Sequence, residues 1–311
     1  GGSFTISNLS VNLSASDDLG LFGHVLSGTT VSNVSLLNAT VNGSSHVGAL
    51  VGLNEGDILN SNSTNGVIAG SSVVGGLVGY NKNPYLWSVC SGTCTNLLTG
   101  GNISNSFVSG GTVAGAFTDG GGLVGHSMGG TIDTSYVTGG NVSGSSGIGG
   151  LVGSDGGEGA FIVVSNSYVA NTIVSGVMDV GGLAGVLDGN ITGSHVTGGS
   201  VSANSNIGGL VGRLGLSSIS FSPNGFISNS YVDGGTIAGV STNIGGLVGR
   251  SHGNIDTSHV VNSTVTGQFS AFVGGLVGSN EGVSISNSYV DGGTVHGVGH
   301  VGGLVGRNVG G

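Results

Sequence analysis

The phrase ISNSYVDGGTVHGVGHVGGLVG, residues 285–306, decides the fold of this chain, because nearly the same phrase fills residues 227–249. Its Gly-Gly-Leu-Val-Gly ending recurs along the whole sequence at a basic spacing of 27–29 residues, with three longer units. Repetition at a fixed period of this length is the signature of a solenoid. The repeated Leu residues are Leu21, Leu50, Leu77, Leu123, Leu151, Leu183, Leu210, Leu247, Leu276 and Leu304.

Each repeat contains three short apolar words, Ile-x-Asn-Ser-Tyr-Val, Thr-Val-x-Gly and Gly-Gly-Leu-Val-Gly, separated by Gly or Asn turns. No word shows the period of a helix, and an interior Gly costs a helix about 1 kcal/mol. Short β-branched words bounded by Gly are typical of strands. The sequence predicts a single all-β domain over residues 1–311, a β-solenoid (β-helix) with three strands per coil and about ten coils. Stacked at strand spacing, these coils would form a rod roughly 50 Å long.

Alignment of the repeats gives one aliphatic column per word, and we expect all three columns to face a continuous core. The first-word column is Ile6, Val31, Ile58, Ile103, Ile132, Val164, Ile191, Ile227, Ile255 and Ile285. The second-word column is Val41, Ile68, Val113, Val142, Val174, Val201, Ile237, Val265 and Val295. The repeated Leu residues form the third column.

Polar, aromatic and Gly columns accompany the aliphatic ones. We expect an inward ladder of hydrogen-bonded side chains at Asn8, Asn33, Asn60, Asn105, Thr134, Asn166, Asn229, Thr257 and Asn287. The aromatic column is Phe107, Tyr136, Tyr168, His195, Tyr231, His259 and Tyr289. These rings should stack on one another, with a stripe that stacks on sugars or on another rod as the alternative. The Gly columns should provide positive φ at corners and close backbone approach.

The composition excludes two classes of partner. Charged residues make up 6% of the chain, the formal net charge is −10, and the cations are Lys82, Arg213, Arg250 and Arg307. So few cations cannot form a basic face for nucleic acid or for anionic lipids. No apolar run reaches the roughly 18 residues that span a bilayer, so we expect no membrane insertion. Low charge with abundant Gly, Ser, Thr and Asn is typical of extended extracellular β structure.

The repeat is interrupted after a Gly-Leu-Val-Gly corner, by loop insertions at residues 80–98 and 213–224 and by a shorter one after Gly153. Because the insertions leave the same corner, they should emerge on one side of the rod, and such loops are often the binding face of a solenoid. Tolerated surface insertions are the alternative. The candidate binding residues are Tyr80, Lys82, Tyr85, Trp87, Arg213 and Phe221.

Both cysteines, Cys90 and Cys94, lie in the first insertion. Structural zinc requires four ligands, so a CxxxC pair without further Cys is a poor zinc site. A local Cys90–Cys94 disulfide is the favoured interpretation and implies an oxidising compartment, with two free thiols as the alternative.

The Gly-Gly-Leu-Val-Gly phrase, followed by a turn and an NSY(V)xGGxVxG pattern, closely resembles the GLUG repeat over nearly the whole chain, from Leu19 to Gly306. That family occurs in large bacterial and archaeal surface proteins, including filamentous haemagglutinin-like adhesins and non-catalytic regions of immunoglobulin A-cleaving metallopeptidases. The resemblance implies a secreted or surface β-solenoid that serves as stalk, spacer or adhesive surface. It carries over no catalytic residue, since the peptidases depend on an HExxH motif and no His here precedes Glu.

Three more specific functions are only weakly supported by the sequence. A polysaccharide-processing β-helix would need two carboxylates roughly 5–10 Å apart, and the stacked pairs Asp133/Asp256 and Asp233/Asp291 have other coils between them. Calcium-binding β-rolls need Asp in almost every nonapeptide, a spacing that the DGG turns do not match. An ice-binding surface needs flat Thr columns, and the Thr column here is interrupted. We therefore expect no enzyme activity, cofactor or metal.

The expected function is a non-enzymatic, extracellular or cell-surface structural or adhesive solenoid. Its first and last residues read as parts of unfinished coils, which predicts either head-to-tail stacking into a filament or continuation into flanking repeats of a longer adhesin. Glycans or surface proteins are the expected further partners. Exposed sequons could be glycosylated, and the candidates are Asn12, Asn38, Asn42, Asn62, Asn102, Asn141, Asn190 and Asn262.

Overall fold

The computed structural model describes residues 4–83, 101–156, 161–215, 225–269, 271–281 and 284–309. Over these residues the chain contains β-strands and no helix, and it winds through about nine turns of a parallel β-solenoid. No helix in the described ranges could therefore cross a bilayer. The predicted all-β solenoid is confirmed.

Four parallel sheets run along the solenoid, numbered here in the order in which one coil visits them. Sheet 1 consists of Thr30–Ser32, Asp57–Leu59, Ile103–Ser104, Thr131–Asp133, Val163–Ser165, Asn190–Thr192, Phe226–Ser228, Asn254–Asp256 and Ile285–Ser286. Sheet 2 consists of Phe4–Ser7, Val34–Leu37, Asn62–Thr64, Phe107–Ser109, Tyr136–Thr138, Tyr168–Ala170, His195–Thr197, Tyr231–Asp233, His259–Val261 and Tyr289–Asp291.

Sheet 3 is the largest, with 15 strands in a first and a second arm. Its first-arm strands are Ser10–Asn12, Thr40–Asn42, Val67–Ala69, Thr112–Gly121, Asn141–Gly149, Ile173–Ser175, Ser200–Gly208, Thr236–Gly245, Thr264–Gly267 and Thr294–His296. Its second-arm strands are Ser45–Gly48, Ser72–Gly75, Met178–Gly181, Phe272–Gly274 and His300–Gly302. The four longest first-arm strands extend over both arms. Sheet 4 consists of Phe22–Val25, Val51–Asn54, Val78–Lys82, Val124–Met128, Val152–Asp155, Ala184–Leu187, Val211–Leu214, Val248–Ser251, Val277–Asn280 and Val305–Asn308.

One coil therefore has more straight segments than the three predicted. The first word forms two strands, because the backbone turns at its Asn or Thr in the left-handed region, with φ of +48° at both Asn229 and Thr257. Asn tolerates this conformation because its short polar side chain can bond locally. The apolar residues before and after the corner then face one core from two sheets.

The predicted inward amide ladder is wrong, because its side chains are exposed at this corner. Asn166 reaches Asp133 of the preceding coil instead, with Nδ2 donating to Oδ1 at 3.0 Å. The first coil is also shifted relative to the prediction. Ile6 pairs with Leu36 on sheet 2, and Asn8 lies beside Asn38 at the next corner, where the two amides are 3.4 Å apart.

The inward polar ladder consists of the serine that follows the corner. Ser135 and Ser167 are at most 1% exposed, and the Ser135 amide donates to Ser167 Oγ at 3.1 Å. The Ser167 hydroxyl donates to the carbonyl of Ser165 at 2.7 Å, while its own amide donates to Ser194 Oγ at 3.2 Å. Each serine thus satisfies a buried amide of the preceding coil, which a plain aliphatic column would leave without a partner. The described members of this ladder are Ser61, Ser106, Ser135, Ser167, Ser194, Ser230, Ser258 and Ser288.

The core follows the three predicted aliphatic columns wherever a coil has neighbours on both sides. Ile58 to Ile255 in the first column and Leu50 to Leu276 in the third are 0% exposed. Two further buried columns complete the core, one on sheet 2 (Val137, for example) and one on the second arm of sheet 3 (Ile207, for example). Single coils cannot bury these faces alone, so stability comes from contacts between coils.

The Gly columns divide between the two predicted roles. The paired Gly residues that precede sheet 3 have positive φ, as at Gly234 (+71°) and Gly235 (+81°). The Gly residues of the Gly-Gly-Leu-Val-Gly phrase are required because the neighbouring backbone leaves no room for a side chain. A Cβ on Gly245 would lie 1.9 Å from the Val248 carbonyl oxygen, and one on Gly249 would lie 2.5 Å from the Ile207 amide nitrogen. These contacts allow sheet 4 to pack backbone-to-backbone on the second arm of sheet 3.

Candidate functional site

The outward face of sheet 4 gathers the cations of the chain. Arg213 lies opposite Arg250, and the register continues through Ser279 to Arg307. In the other direction the same column contains Tyr80, whose strand also carries Lys82. The position directly after Gly-Leu-Val-Gly explains the placement of the three Arg residues, because all three occupy it in their coils and are at least partly exposed there.

The structure places some of the predicted binding residues and not others. Tyr80, Lys82 and Arg213 lie on sheet 4, so the first residues of both predicted insertions are strand residues. Tyr80 and Arg213 share a column but are four coil steps apart, roughly 19 Å at strand spacing. They therefore do not form one pocket. The predicted residues Tyr85, Trp87, Phe221, Cys90 and Cys94 lie outside the described residues.

An aromatic group surrounds Tyr80. Its ring stacks on His46 with centroids 4.9 Å apart and packs at a tilt on His126 at 5.2 Å. His126 Nδ1 lies 3.1 Å from Asp119 Oδ2, and Lys82 Nζ lies 3.5 Å from a Glu55 carboxylate oxygen. The Lys82–Glu55 pair joins neighbouring coils, whereas Asp119 and His126 lie seven residues apart in one coil.

A polar cavity lies further along the same face, beside the shorter insertion. It has a volume of about 290 Å³, and its polar lining includes Thr118, Asp119, Ser146, Asp179, Asp188 and Arg213. The floor carries Asp155, whose carboxylate accepts the backbone amides of Asp188 at 2.5 Å and Gly189 at 2.9 Å. Asp155 and Asp188 are 4% and 3% exposed. Two carboxylates from adjacent coils are thus buried together.

Burial sets the ionisation of this pair. It raises the pKa of Asp155 to about 7, with the nearby Asp188 charge adding to the rise and backbone donors opposing it. Burial likewise raises the pKa of Asp188 to about 6, against the lowering effect of Arg213. Two interacting carboxyl groups titrate as a unit, so the pair still holds a proton as the pH approaches neutrality.

We expect the substitution Asp188→Asn to stabilise the protein at pH 8 by about 2 kcal/mol and to change little below pH 4. A raised folded-state pKa means that stability is fully present below the ordinary pKa of 3.8 and is lost as pH rises through about 6. Asn removes the titrating group and therefore this loss. Urea unfolding of both proteins across pH 4–8 measures the difference, and the exposed Asp291→Asn serves as the control. A constant difference at all pH values would contradict the expectation.

A second charged cluster lies near the C-terminal end of sheet 4. Arg250 donates from Nε and a terminal nitrogen to the two Glu281 carboxylate oxygens, each at 2.9 Å, and His252 Nε2 lies 3.1 Å from the same carboxylate. The Arg250 guanidinium lowers the pKa of Glu281, while burial and the Arg250 charge lower that of His252. This bidentate pair joins two coils and leaves the carboxylate engaged.

The two Asp pairs that could serve a polysaccharide-processing enzyme are separated by intervening coils, and Asp133 is hydrogen-bonded to a neighbouring coil. Four coil steps separate Asp133 from Asp256, and two separate Asp233 from Asp291. Asp133 accepts the Ser165 hydroxyl at 2.6 Å, which lowers the pKa of that carboxyl. Within the described ranges no group of three or more His, Cys, Asp or Glu is arranged to hold a metal ion.

The aromatic column forms one continuous stack on sheet 2. From Phe107 to Tyr289 the ring centroids are 4.7–5.2 Å apart and the ring planes differ by 1–7°. Each internal ring has both faces covered by its neighbours. A sugar could therefore stack only on an end ring, such as the 51% exposed Tyr289.

The sequons differ in their accessibility. Exposed candidates are Asn12, Asn38, Asn141, Asn190 and Asn262. The partly buried candidates Asn42, Asn62 and Asn102 make side-chain hydrogen bonds to a neighbouring coil. Attachment of a glycan requires an accessible Asn side chain, so the exposed five are the better candidates.

Comparison with known proteins gives two matches to this chain. The GLUG motif matches residues 240–270, which include the corner phrase of one coil. Halomucin of Haloquadratum walsbyi (strain DSM 16790 / HBSQ001) is 41% identical over 64 residues, which make up 21% of this chain and 1% of halomucin. No solved structure matches the chain.

Proposed function

From the GLUG motif at residues 240–270, we propose that this β-solenoid is a non-enzymatic repeat region of a surface protein, serving as a structural stalk or spacer. The observation that carries the proposal is that the side-chain columns of the solenoid make their contacts between successive coils. Aliphatic, serine and aromatic columns all join one coil to the next along sheets of nine or more strands. The likeness to halomucin over 64 residues supports the surface location.

We further propose that coils stack end to end between copies of the chain. Positions that are buried in internal coils are exposed in the outer ones. Leu276 is 0% exposed and Leu304, one coil later, is 41% exposed, while Phe4 in the first coil is 75% exposed. A coil from another copy would cover these surfaces and pair the open sheet edges. Flanking repeats of a longer adhesin would do the same, and they are the alternative partner.

The substitution Gly303→Ala tests the stacking. Among the described residues nothing lies within 4 Å of a Cβ at Gly303, whereas a Cβ at the equivalent Gly275 would lie 2.1 Å from the Gly303 carbonyl oxygen. Ala at Gly303 should therefore leave the isolated solenoid folded and obstruct the approach of a further coil. We expect concentration-dependent rods of the original protein in electron microscopy and sedimentation, and shorter or single particles of the variant.

Equal assembly by both proteins would contradict stacking at this end. If the original protein remains monomeric at every concentration, the result would favour the flanking-repeat alternative. Thermal unfolding of both proteins at a concentration too low for assembly is the control, since the two melting temperatures should then agree if only assembly is affected.

An adhesive role is the second candidate function, and the polar cavity on sheet 4 favours it. The predicted Cys90–Cys94 disulfide and glycosylation of the five exposed sequons remain part of the proposal, because both modifications suit a protein outside the cell. Peptide mass spectrometry with and without reductant identifies the disulfide, and the added mass of a glycopeptide identifies glycosylation.

A further inference from the structure

The cavity beside Asp188 contains polar atoms that the stacking of coils does not use. Asp188 is 3% exposed, and its Oδ1 has no hydrogen-bond partner among the described residues. The Nε of Arg213 is likewise buried without a partner in the described part of the chain. Both residues line the same cavity of about 290 Å³. An unsatisfied buried acceptor and donor are costly, so their presence together at one cavity points to a ligand.

The chemistry of these atoms selects the ligand class. A hydroxyl group can donate to a carboxylate such as that of Asp188 and accept from a guanidinium such as that of Arg213, which neither a simple cation nor a simple anion can do. Thr118, Ser146 and Asp179 also line the cavity, and their side chains can hydrogen-bond to further hydroxyl groups of a ligand. Asp179 Oδ1 already accepts from Asn206 Nδ2 at 2.7 Å, which fixes the orientation of that carboxylate.

The volume and the flanking charges agree with a small polyhydroxylated molecule. The cavity lies at the lower end of the roughly 300–1,000 Å³ range of small-molecule sites, which suits one or two sugar rings. The nearest cation, Arg213, has a terminal nitrogen 3.7 Å from Asp179 Oδ2, so its charge is partly balanced before any ligand binds. A neutral ligand therefore meets no uncompensated positive field.

We propose that the cavity lined by Asp188, Arg213 and Ser146 is a carbohydrate-binding site that holds a neutral sugar residue of a glycan. The site adds an adhesive surface to the structural role proposed above and is independent of end-to-end stacking. Its lining includes Gly156, at the start of the shorter insertion.

The test measures saturation-transfer NMR of the folded chain with the methyl glycosides of glucose, galactose, mannose and N-acetylglucosamine. A sugar of this size should bind with a dissociation constant on the order of 1 mM. Asp188→Asn should weaken binding roughly tenfold, because a charge-assisted hydrogen bond becomes a neutral one. Asp291→Asn, which changes an exposed carboxylate in the last coil, should have no effect.

Ser146→Met provides a second variant that is compatible with the fold. Ser146 pairs in register with Met178 of the next coil, so the position already accommodates this side chain one coil away. Met should fill the cavity and abolish binding. Absence of binding by all four glycosides, or binding that survives Ser146→Met or Asp188→Asn, would overturn the carbohydrate site. Stacking, measured separately by electron microscopy, would be unaffected by either result.

Discussion

Gly275→Ala should lower the free energy of unfolding by roughly 3–5 kcal/mol, whereas Gly303→Ala should change it by less than about 1 kcal/mol. Both residues occupy the second position of the Gly-Gly-Leu-Val-Gly phrase in consecutive coils. A Cβ at Gly275 would lie 2.1 Å from the backbone carbonyl oxygen of Gly303, and backbone cannot move aside as a flexible side chain can.

The conformation of the two glycines does not explain the expected difference. Neither has a positive φ, so Ala is compatible with the backbone at both positions. The difference comes from the neighbouring coil alone, since no described atom lies within 4 Å of a Cβ on Gly303. Chemical denaturation followed by circular dichroism measures both variants. Similar destabilisation by both would mean that intrinsic glycine propensity, and not contact between coils, explains the column.

The solenoid could be predicted from the sequence because its core columns repeat with the coil. Ile255 and Ile285 are in register on sheet 1, as their shared place in the repeat predicts. The number of strands per coil could not be predicted in the same way. An Asn in the left-handed region turns the chain inside what reads as one continuous apolar word. Inward and outward side chains alternate across this corner as they do along a strand, so the sequence pattern does not reveal the corner.

The sequence predicts an inward ladder of Asn because amide ladders are a known stabilising arrangement, yet the adjacent Ser occupies that place. A small hydroxyl fits beside the aliphatic columns and can accept an amide of the preceding coil while donating to its own strand. The repeated Ser of the Asn-Ser-Tyr phrase is the signal that could have revealed it.

The cavity was only partly predictable. Arg213 is predictable because it follows a corner at which the repeat is interrupted. Asp155 and Asp188 form no column in the repeat, because neighbouring coils carry different residues at these positions: Asp155 lies opposite Ser127. The contact between Asp155 and the Asp188 amide joins residues 33 positions apart, and that separation depends on the lengthened unit.

Ser167→Ala should lower the free energy of unfolding by about 2 kcal/mol. Ser167 is 0% exposed, and the substitution leaves the buried amide of Ser135 without the acceptor that it now has at 3.1 Å. No compensating contact follows, since Ala is smaller than Ser and the coil spacing is fixed by the sheets. Amide hydrogen exchange at Ser135 should accelerate together with the loss of stability.

Ser165→Ala is the matched control, two residues earlier on the same chain segment. Its hydroxyl points outward and donates to Asp133 Oδ1 at 2.6 Å, where water can replace it. We expect a loss below about 1 kcal/mol and no change in exchange at Ser135. Equal losses for the two variants would contradict the buried ladder. A larger loss at Ser167 with faster exchange at Ser135 would instead establish that a hydroxyl column, carried through successive coils, holds the inner amides of the solenoid.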